Sequence, residues 1–551
     1  MLPMRLTMIP AFLTMLIFLF PLILIKWKFH GKSCKQTPAL PPGPTPWPIV
    51  GNLPEMWRNK PAFRWIHGLL ESLNTEIACI RLGGVHVIPV TSPELAREFL
   101  KKHDIVFASR PLFLSNKYAS RGFKSTVLVP WGDQYKKMKK LVASKIINSK
   151  TTQWLLNKRT EEANNLVRFI YNQCKNAAID HSLADDQSIS GSLVDVRLAT
   201  RHYCGNVIGK MIFNRRYFGK GKKDGGPGVE EVEHIESLFT ILIHLSAFAL
   251  SDYLPCLTAL DLDGHGKIVS EAMKIVTSYE DPIVDDRLRQ WRDEEETEAE
   301  DLLDAFILAK DSNGKAAFSV EEIQAQITFI KLMLATVDNP SNCIEWTLAE
   351  MLNQPELLQK AVEEIDRVVG KKRWVEESDI PQLNYVKACA REGFRLHPVA
   401  PFNVPHVSMQ DATVAGYFCE NPLIPHHVIL SRYGLGRNPR VWKEPFRFKP
   451  DRHLKKEDGS SMADDREVEL AEHELRFISF STGRRGCMGI ALGSAMTMML
   501  LARLLQGFSW SLPPNQEEID LSESANELFM AKPLLAHAKP RLAASLYPAE
   551  E

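Results

Sequence analysis

One cysteine constrains this chain more than any other residue. It lies in FSTGRRGCMG, residues 480–489, among three glycines, two arginines and two hydroxyls. The stretch does not end in the Gly-Lys-Ser/Thr of a phosphate-binding loop. No second Cys or His lies within four residues, so no zinc knuckle is built here. A turn carrying a buried free thiol is the plain alternative. The flank argues against it, because IALGSAMTMMLLARLLQGF, a long apolar run of helix formers, follows Gly489. Cys487 therefore precedes a helix N-terminus, where amides and the macrodipole favour a thiolate. Arg484 and Arg485 add positive charge. A lone, protected thiolate is what haem iron takes as an axial ligand.

The rest of the chain is large enough to protect it. There are 551 residues, 45% of them hydrophobic, which suffices for a sizeable core. Basic and acidic residues balance at 67 each, so no polyanion is invited and nucleic acid is not expected as a partner. The nine cysteines are scattered singly without a CxxC pair, which fits a reducing compartment. The N-terminus departs from this balance. LTMIPAFLTMLIFLFPLILI, residues 6–25, carries no charge. At 1.5 Å per residue it would span about 30 Å, one hydrocarbon thickness. Lys26, Lys28, Lys32 and Lys35 follow, so the bulk of the chain is expected on the cytosolic side. The apolar run exceeds a usual signal-peptide core and lacks a small-residue cleavage site. ALPPGPTPWPIVGNL, residues 39–53, then reads as a stiff extended connector. The expected division is an anchor over 1–30, a basic and Pro-rich hinge over 31–58 and a catalytic domain over 59–551.

Within that domain the pattern is mainly α with a minor β portion. EIACIRLGGVHVIPVTS, residues 76–92, alternates and is β-branched, which predicts a small hairpin. Helical periodicity dominates from about 130 to 400, and residues 398–432 return to short strands and turns. Two polar breaks, 219–234 and 291–301, are expected as exposed loops or helix ends. Glu392 and Arg395 in AREGFRLHP lie three apart and share a helix face. On a surface such a pair contributes little. In these apolar surroundings it would be buried and would need further partners, and Arg452 in FKPDRH is the candidate. IQAQITFIKLMLATVDNPSNCIEWTLAEML, residues 323–352, has Pro340 in its middle. Either one helix is opened there, freeing the carbonyl of Thr336, or one helix ends near Asn339 and Ser341 or Asn342 caps another. In WGDQYKKMKKL, residues 131–141, Tyr135 and Lys139 lie four apart, which alone reads as a solvated basic face.

Together these motifs resemble the cytochrome P-450 superfamily of haem-thiolate monooxygenases. The pattern FxxGxRxCxG is met by Phe480, Gly483, Arg485, Cys487 and Gly489; ExxR is Glu392 and Arg395; the PERF-like element is Pro450, Asp451, Arg452 and His453. The resemblance spans about residues 39–540, with the motifs in the family's order. It implies the cytochrome P-450 fold behind one N-terminal transmembrane helix, and haem b held by Cys487 as the axial iron ligand. Arg485, with Lys139, Tyr135 and His406, would contact the propionates, and Phe480 would pack on the cofactor. It implies O2 and NADPH as co-substrates, with electrons delivered by NADPH–cytochrome P-450 reductase. It also implies a single-pass endoplasmic-reticulum protein whose catalytic domain faces the cytosol.

One departure narrows the branch. Where the family pattern has a threonine that helps deliver protons, this chain has Asn339. With FSTGRRGC, PFNVPH and DNPSN, the chain resembles the plant amino-acid N-monooxygenases, which make aldoximes for glucosinolate or cyanogenic-glucoside formation. FCENPLIPHHV, residues 418–428, departs from that branch, where relatives more often read IPKG. The resemblance implies an L-α-amino acid substrate and, downstream, an oxime-metabolising monooxygenase. Catalytic candidates are Thr336, Asp338, Asn339 and Pro340, with Asp338 a proton relay. Arg121, Ser125 and Thr126 are the candidates for the substrate carboxylate, and Phe402, Asn403 and Val404 for its side-chain pocket. The alternatives are another plant monooxygenase acting on a small apolar metabolite, and an electron-independent haem-thiolate isomerase or dehydratase.

Overall fold

A computed structural model describes residues 39–180, 191–216, 218–245, 247–293, 298–333, 337–419, 425–454 and 467–548. The apolar run 6–25, Thr336 and most of the 455–474 stretch lie outside them.

The fold is helical around a small sheet. Val85–Val90, a β-branched run, pairs antiparallel with Ile80–Leu82 across the Gly83–Gly84 turn. The predicted hairpin is therefore present, but it is only one edge. Val85–Val90 also pairs in parallel with His426–Leu430, whose five residues are all buried. Burial on both faces is the usual condition of a parallel pair. His406–Val407 completes a four-stranded sheet. The connector docks on it rather than hanging free, since Cys79 N donates to Pro42 O at 2.9 Å and Asn52 N to Arg81 O at 2.6 Å. Two smaller sheets are formed by Ser192–Asp195 with Leu535–Pro540 and Phe508–Ser511, and by Ala412–Val414 with Tyr417–Cys419.

Two helices run through the core. Ile490–Gly507 is apolar on nearly every side, and a helix of that kind is stable only when surrounded. Among the described residues it is the one helix long and apolar enough to cross a membrane, and it is mostly buried inside the protein. Against it packs Asp338–Asn353, whose residues are almost all buried, with Trp346 fully so. Two of the charges this helix carries inward are paired: Glu345 with Arg197 at 2.9 Å and Glu350 with His397 at 2.8 Å. Such pairing is the condition for tolerating buried charge.

The Pro340 region resolves into two helices, Val320–Met333 and Asp338–Asn353. Pro340 thus does not sit in mid-helix. It lies in the first turn of the second helix, where a missing N–H removes no intrahelical bond. Nor does Ser341 or Asn342 cap the start. Ser341 Oγ donates back to the carbonyls of Val337 and Asp338, and the helix begins at Asp338. The described edges of the polar break 291–301 fall at helix ends, as expected: one helix ends at Arg292, and Asp301, fully buried, caps Leu302–Leu308 through Asp304 N and pairs with Arg287 at 3.1 Å.

Candidate active site

The cysteine loop is held from both sides. Gly483 has φ +74°, and a Cβ there would stand 2.5 Å from the Leu100 carbonyl, so this turn requires glycine. Cys487 N donates to Phe480 O at 2.9 Å, and Gly489 N donates to Cys487 Sγ at 3.3 Å. The helix that follows starts at Ile490, three residues on. In this setting burial raises the Cys487 thiol above its ordinary value, against the pull of the Gly489 amide and the Arg432 charge. A cation bound at the sulfur would offset this burial and favour the thiolate.

Above Cys487 opens a cavity of about 720 Å³. Its walls include Tyr135, Lys139, His406, Phe480 and Arg485, and also Thr126, Asp338, Asn339, Pro340, Phe402, Asn403 and Val404. Arg121 and Ser125 are not among them. Arg121 spends its guanidinium on Asp281, at 2.6 and 3.0 Å, and on Gln324 at 3.3 Å. Ser125 is fully buried with no hydrogen bond at its Oγ. Thr126 does reach the cavity, but its Oγ1 already donates to Gln326 Oε1 at 2.8 Å.

One part of this wall is cationic. Arg485 donates to the carbonyls of Ala108 at 2.6 Å and Val129 at 2.9 Å, and lies 3.7 Å from the Tyr135 ring centre. Arg110, which no sequence motif marked, donates to Val404 O and Pro405 O, both at 2.8 Å. Both arginines are buried, and no carboxylate among the described residues pairs with either. Burial pushes Arg485 down to about 10, and it drives Arg110 well below the arginine range, with the Arg485 charge adding to it. Two buried cations facing a cavity with only carbonyl partners call for a dianionic group. The two propionates of haem fit, with the Cys487 sulfur in the same cavity as its ligand. Tyr135 Oη and Lys139 Nζ both donate to the Arg484 carbonyl, so they brace the loop. His406 is buried, and its Nδ1 faces Phe107 O at 2.8 Å. Burial keeps it neutral, which leaves Nε2 an acceptor until a proton arrives.

The second helix contributes a carboxylate. Asn339 N and Nδ2 donate to Asp338 Oδ1 at 2.8 and 3.3 Å. Burial pushes the Asp338 carboxyl up from 3.8 to about 6, against the Asn339 amide and the Arg432 charge. Asn403 Oδ1 accepts from Leu430 N at 2.7 Å, and Phe402 stacks on His67 at 5.4 Å. Glu392, Arg395 and Arg452 meet outside the cavity. Arg395 donates to both Glu392 oxygens at 2.7 and 2.8 Å, and Arg452 Nε to Oε1 at 3.0 Å. His453 Nε2, named above only within its motif, donates to Oε2 at 2.7 Å. Burial would raise Glu392, but Arg395 and His453 hold it well below the carboxylate range, and His453 itself stays neutral in its buried place. Arg110 and Arg432 were legible only as arginines bordering apolar runs, in FASRPLF and HHVILSR.

Comparison with known proteins agrees with this geometry. A family model described as cytochrome P450 matches residues 41–539. A tryptophan N-monooxygenase of Prunus mume is 57% identical over 97% of this chain and 96% of its own length. A phenylalanine N-monooxygenase of Arabidopsis thaliana is 56% identical over 97% and 99%. A tyrosine N-monooxygenase of Sorghum bicolor is 56% identical over 95% and 90%.

Proposed function

The chain belongs to the cytochrome P450 family and is a haem-thiolate monooxygenase that uses O2, and on that premise we propose that it N-hydroxylates an L-α-amino acid and converts it to the aldoxime. The observation that carries this reading is the near-full-length similarity, at more than half identity, to enzymes named for that reaction on three amino acids. Asp338, a cavity carboxylate beside Asn339, gives the reading a physical basis.

Haem, when bound, supplies the activated oxygen. The protein's own residues do the rest. Cys487 Sγ ligates the iron, and Arg110 and Arg485 hold the propionates, with His406 joining them once its Nε2 is protonated. An amine is oxidised only with its lone pair free, so the ammonium must first lose a proton. Asp338 Oδ accepts it when ionised, and the largely apolar cavity favours the neutral amine. Asn339 holds the water that returns protons to the reacting centre, in the place of the family's threonine. Pro340 starts the helix that presents both side chains. Phe402 and Val404 enclose the substrate side chain. Electrons come from NADPH through a membrane reductase, and the cofactor is haem b. Residues 1–30 anchor the chain once in the endoplasmic-reticulum membrane, 31–58 form the hinge, and 59–551 face the cytosol. A downstream oxime-metabolising monooxygenase takes the product.

The test is microsomal expression with a reductase and a panel of L-amino acids, oximes being read by mass spectrometry. An oxime that requires NADPH supports the reading. A protein with an intact thiolate-haem spectrum that yields no oxime from any amino acid would overturn it.

A further inference from the structure

The cavity holds a third arginine that the cofactor's anionic groups do not explain. Arg432 follows the strand His426–Leu430 and points into the cavity that Cys487 and Asp338 also line. Its Nη2 donates to Ser479 O at 3.1 Å, while its Nε is buried without any hydrogen-bond partner. No carboxylate of the described residues forms an ion pair with it. The same cavity is lined by Asp338, buried, whose side-chain hydrogen bonds all reach Oδ1 and come from the next residue. Asp338 and Cys487 are the anionic groups whose charge reaches Arg432, Arg432 and Arg201 the cations whose charge reaches Asp338, and no ion pair joins Arg432 to Asp338. The protein thus keeps a guanidinium and a carboxylate desolvated in the wall of one cavity and unjoined. Left so, both are costly. An opposite-charged molecule with its two charges one carbon apart relieves both at once.

The geometry points to Arg432 and Asp338 as the pair that reads the zwitterion of the α-amino acid, Arg432 taking the α-carboxylate and Asp338 the α-ammonium. This rests on the amino-acid reading above and adds what recognises the substrate's common part. It replaces Arg121, whose fork is already filled by Asp281. The grip is on groups that all amino acids share. Glu527, another cavity carboxylate, does not compete for this role: the charges facing it are Arg201, His244 and Arg197, not Arg432. Arg201 does not line the cavity and lies 3.7 Å from the Phe239 ring centre.

The test uses the full-length holoprotein and the Soret shift on ligand binding. The probes are L-tryptophan, L-phenylalanine, L-tyrosine, L-valine, L-isoleucine and L-methionine, each against the amine it leaves on losing its carboxylate. In the wild type the amino acid binds more tightly than its amine. Arg432→Gln weakens the amino acid roughly a hundredfold and leaves the amine unchanged, as expected for losing a charge-assisted fork. Asp338→Asn weakens both. A Gln variant that keeps its thiolate-haem spectrum and binds the amino acid as the wild type does overturns the pair but leaves the N-hydroxylation reading standing. A wild type that binds no amino acid overturns both. If the Gln variant takes up no haem, Arg432→Lys is titrated with the amino acid and its neutral primary amide. Loss of about tenfold for the acid alone supports the pair, and equal changes for acid and amide overturn it.

Discussion

Two groups of buried charge in this protein are built alike and finished differently. Around Glu392 every bond is closed. Both carboxylate oxygens accept from Arg395, and Arg452, His453 and the Lys449 amide complete the set. Arg395 turns its remaining N–H groups to the carbonyls of Gly436, Pro445 and Arg447. The charges that line the cavity are left open. Arg110 and Arg485 have carbonyls but no anion, Arg432 has an idle Nε, and Asp338 has one engaged oxygen. A closed cluster has nothing left to bind and serves the fold. An open one carries an electrostatic cost that a ligand removes. The difference separates structural from functional charge without reference to any motif.

The comparison breaks most readily at its closed end. Glu392→Ala leaves the buried Arg395 and the half-buried Arg452 without their anion. The expected cost is about 3–5 kcal/mol, since removing one partner of a buried network strands the others. Little soluble protein should accumulate, and what does should lack the red-shifted carbon-monoxide Soret band of thiolate-ligated haem. Wild-type yield and haem content in this variant would mean that the closed cluster is dispensable.

The open end predicts the opposite division. Arg110→Leu and Arg485→Leu remove cations that the empty protein holds at a cost. The apoprotein should keep or gain thermal stability, while haem should leave for apomyoglobin at least roughly tenfold faster in each variant, the value of one charge-assisted bond. Apoprotein unfolding and haem transfer measure the two halves separately. Destabilised apoprotein with unchanged haem transfer would move these arginines into the closed class.

The two classes were not equally legible in the sequence. Glu392, Arg395 and Arg452 come from short motifs whose residue types are unusual among apolar neighbours, so their meeting was readable. So was Cys487, from its glycine fence and the helix after it. Arg110 and Arg432 acquire their meaning only when distant parts of the chain close one cavity, over separations that no local pattern spans. Pro340 misled for a related reason. Its periodic flanks allowed one opened helix or two; there are two, and the second starts two residues before Pro340, where proline is harmless, rather than at a Ser341 or Asn342 cap. The parallel pairing of Val85–Val90 with His426–Leu430 was likewise invisible, being a contact between distant runs.

Asp338 sharpens the comparison through pH. In the folded, substrate-free protein its carboxyl holds a proton up to about 6, against 3.8 in the unfolded chain. Between these values the folded state binds more protons, so its stability falls as pH rises through the window. The loss is about 3 kcal/mol once both states are ionised. Asparagine has no such slope. Asp338→Asn should therefore match the wild type below roughly pH 4 and exceed it by roughly 2–3 °C in Tm above pH 6. Oxime formation should be lost in the same variant. Parallel Tm curves for the two proteins across this range would show that Asp338 is not held against its charge.

The smallest effect is expected at Arg121, and it is informative because it is small. Arg121 has the chemistry of a carboxylate binder and lies in the right stretch of chain. Yet its fork is bidentate on Asp281, and its side chain is outside the cavity wall. Its Nε, like that of Arg432, has no hydrogen-bond partner, but its charge, unlike that of Arg432, is paired. Arg121→Ala should leave amino-acid affinity within about twofold, because nothing that faces the substrate is removed. It should lower stability by about 1 kcal/mol, the value of a partly exposed ion pair. Double-mutant analysis with Asp281→Ala should recover most of that figure as coupling between the two. Spectral titration with an amino acid, run beside Arg432→Gln, sets the two arginines against each other. A large loss at Arg121 with none at Arg432 would reverse their places and, with them, the rule that an already satisfied charge is not the one that binds.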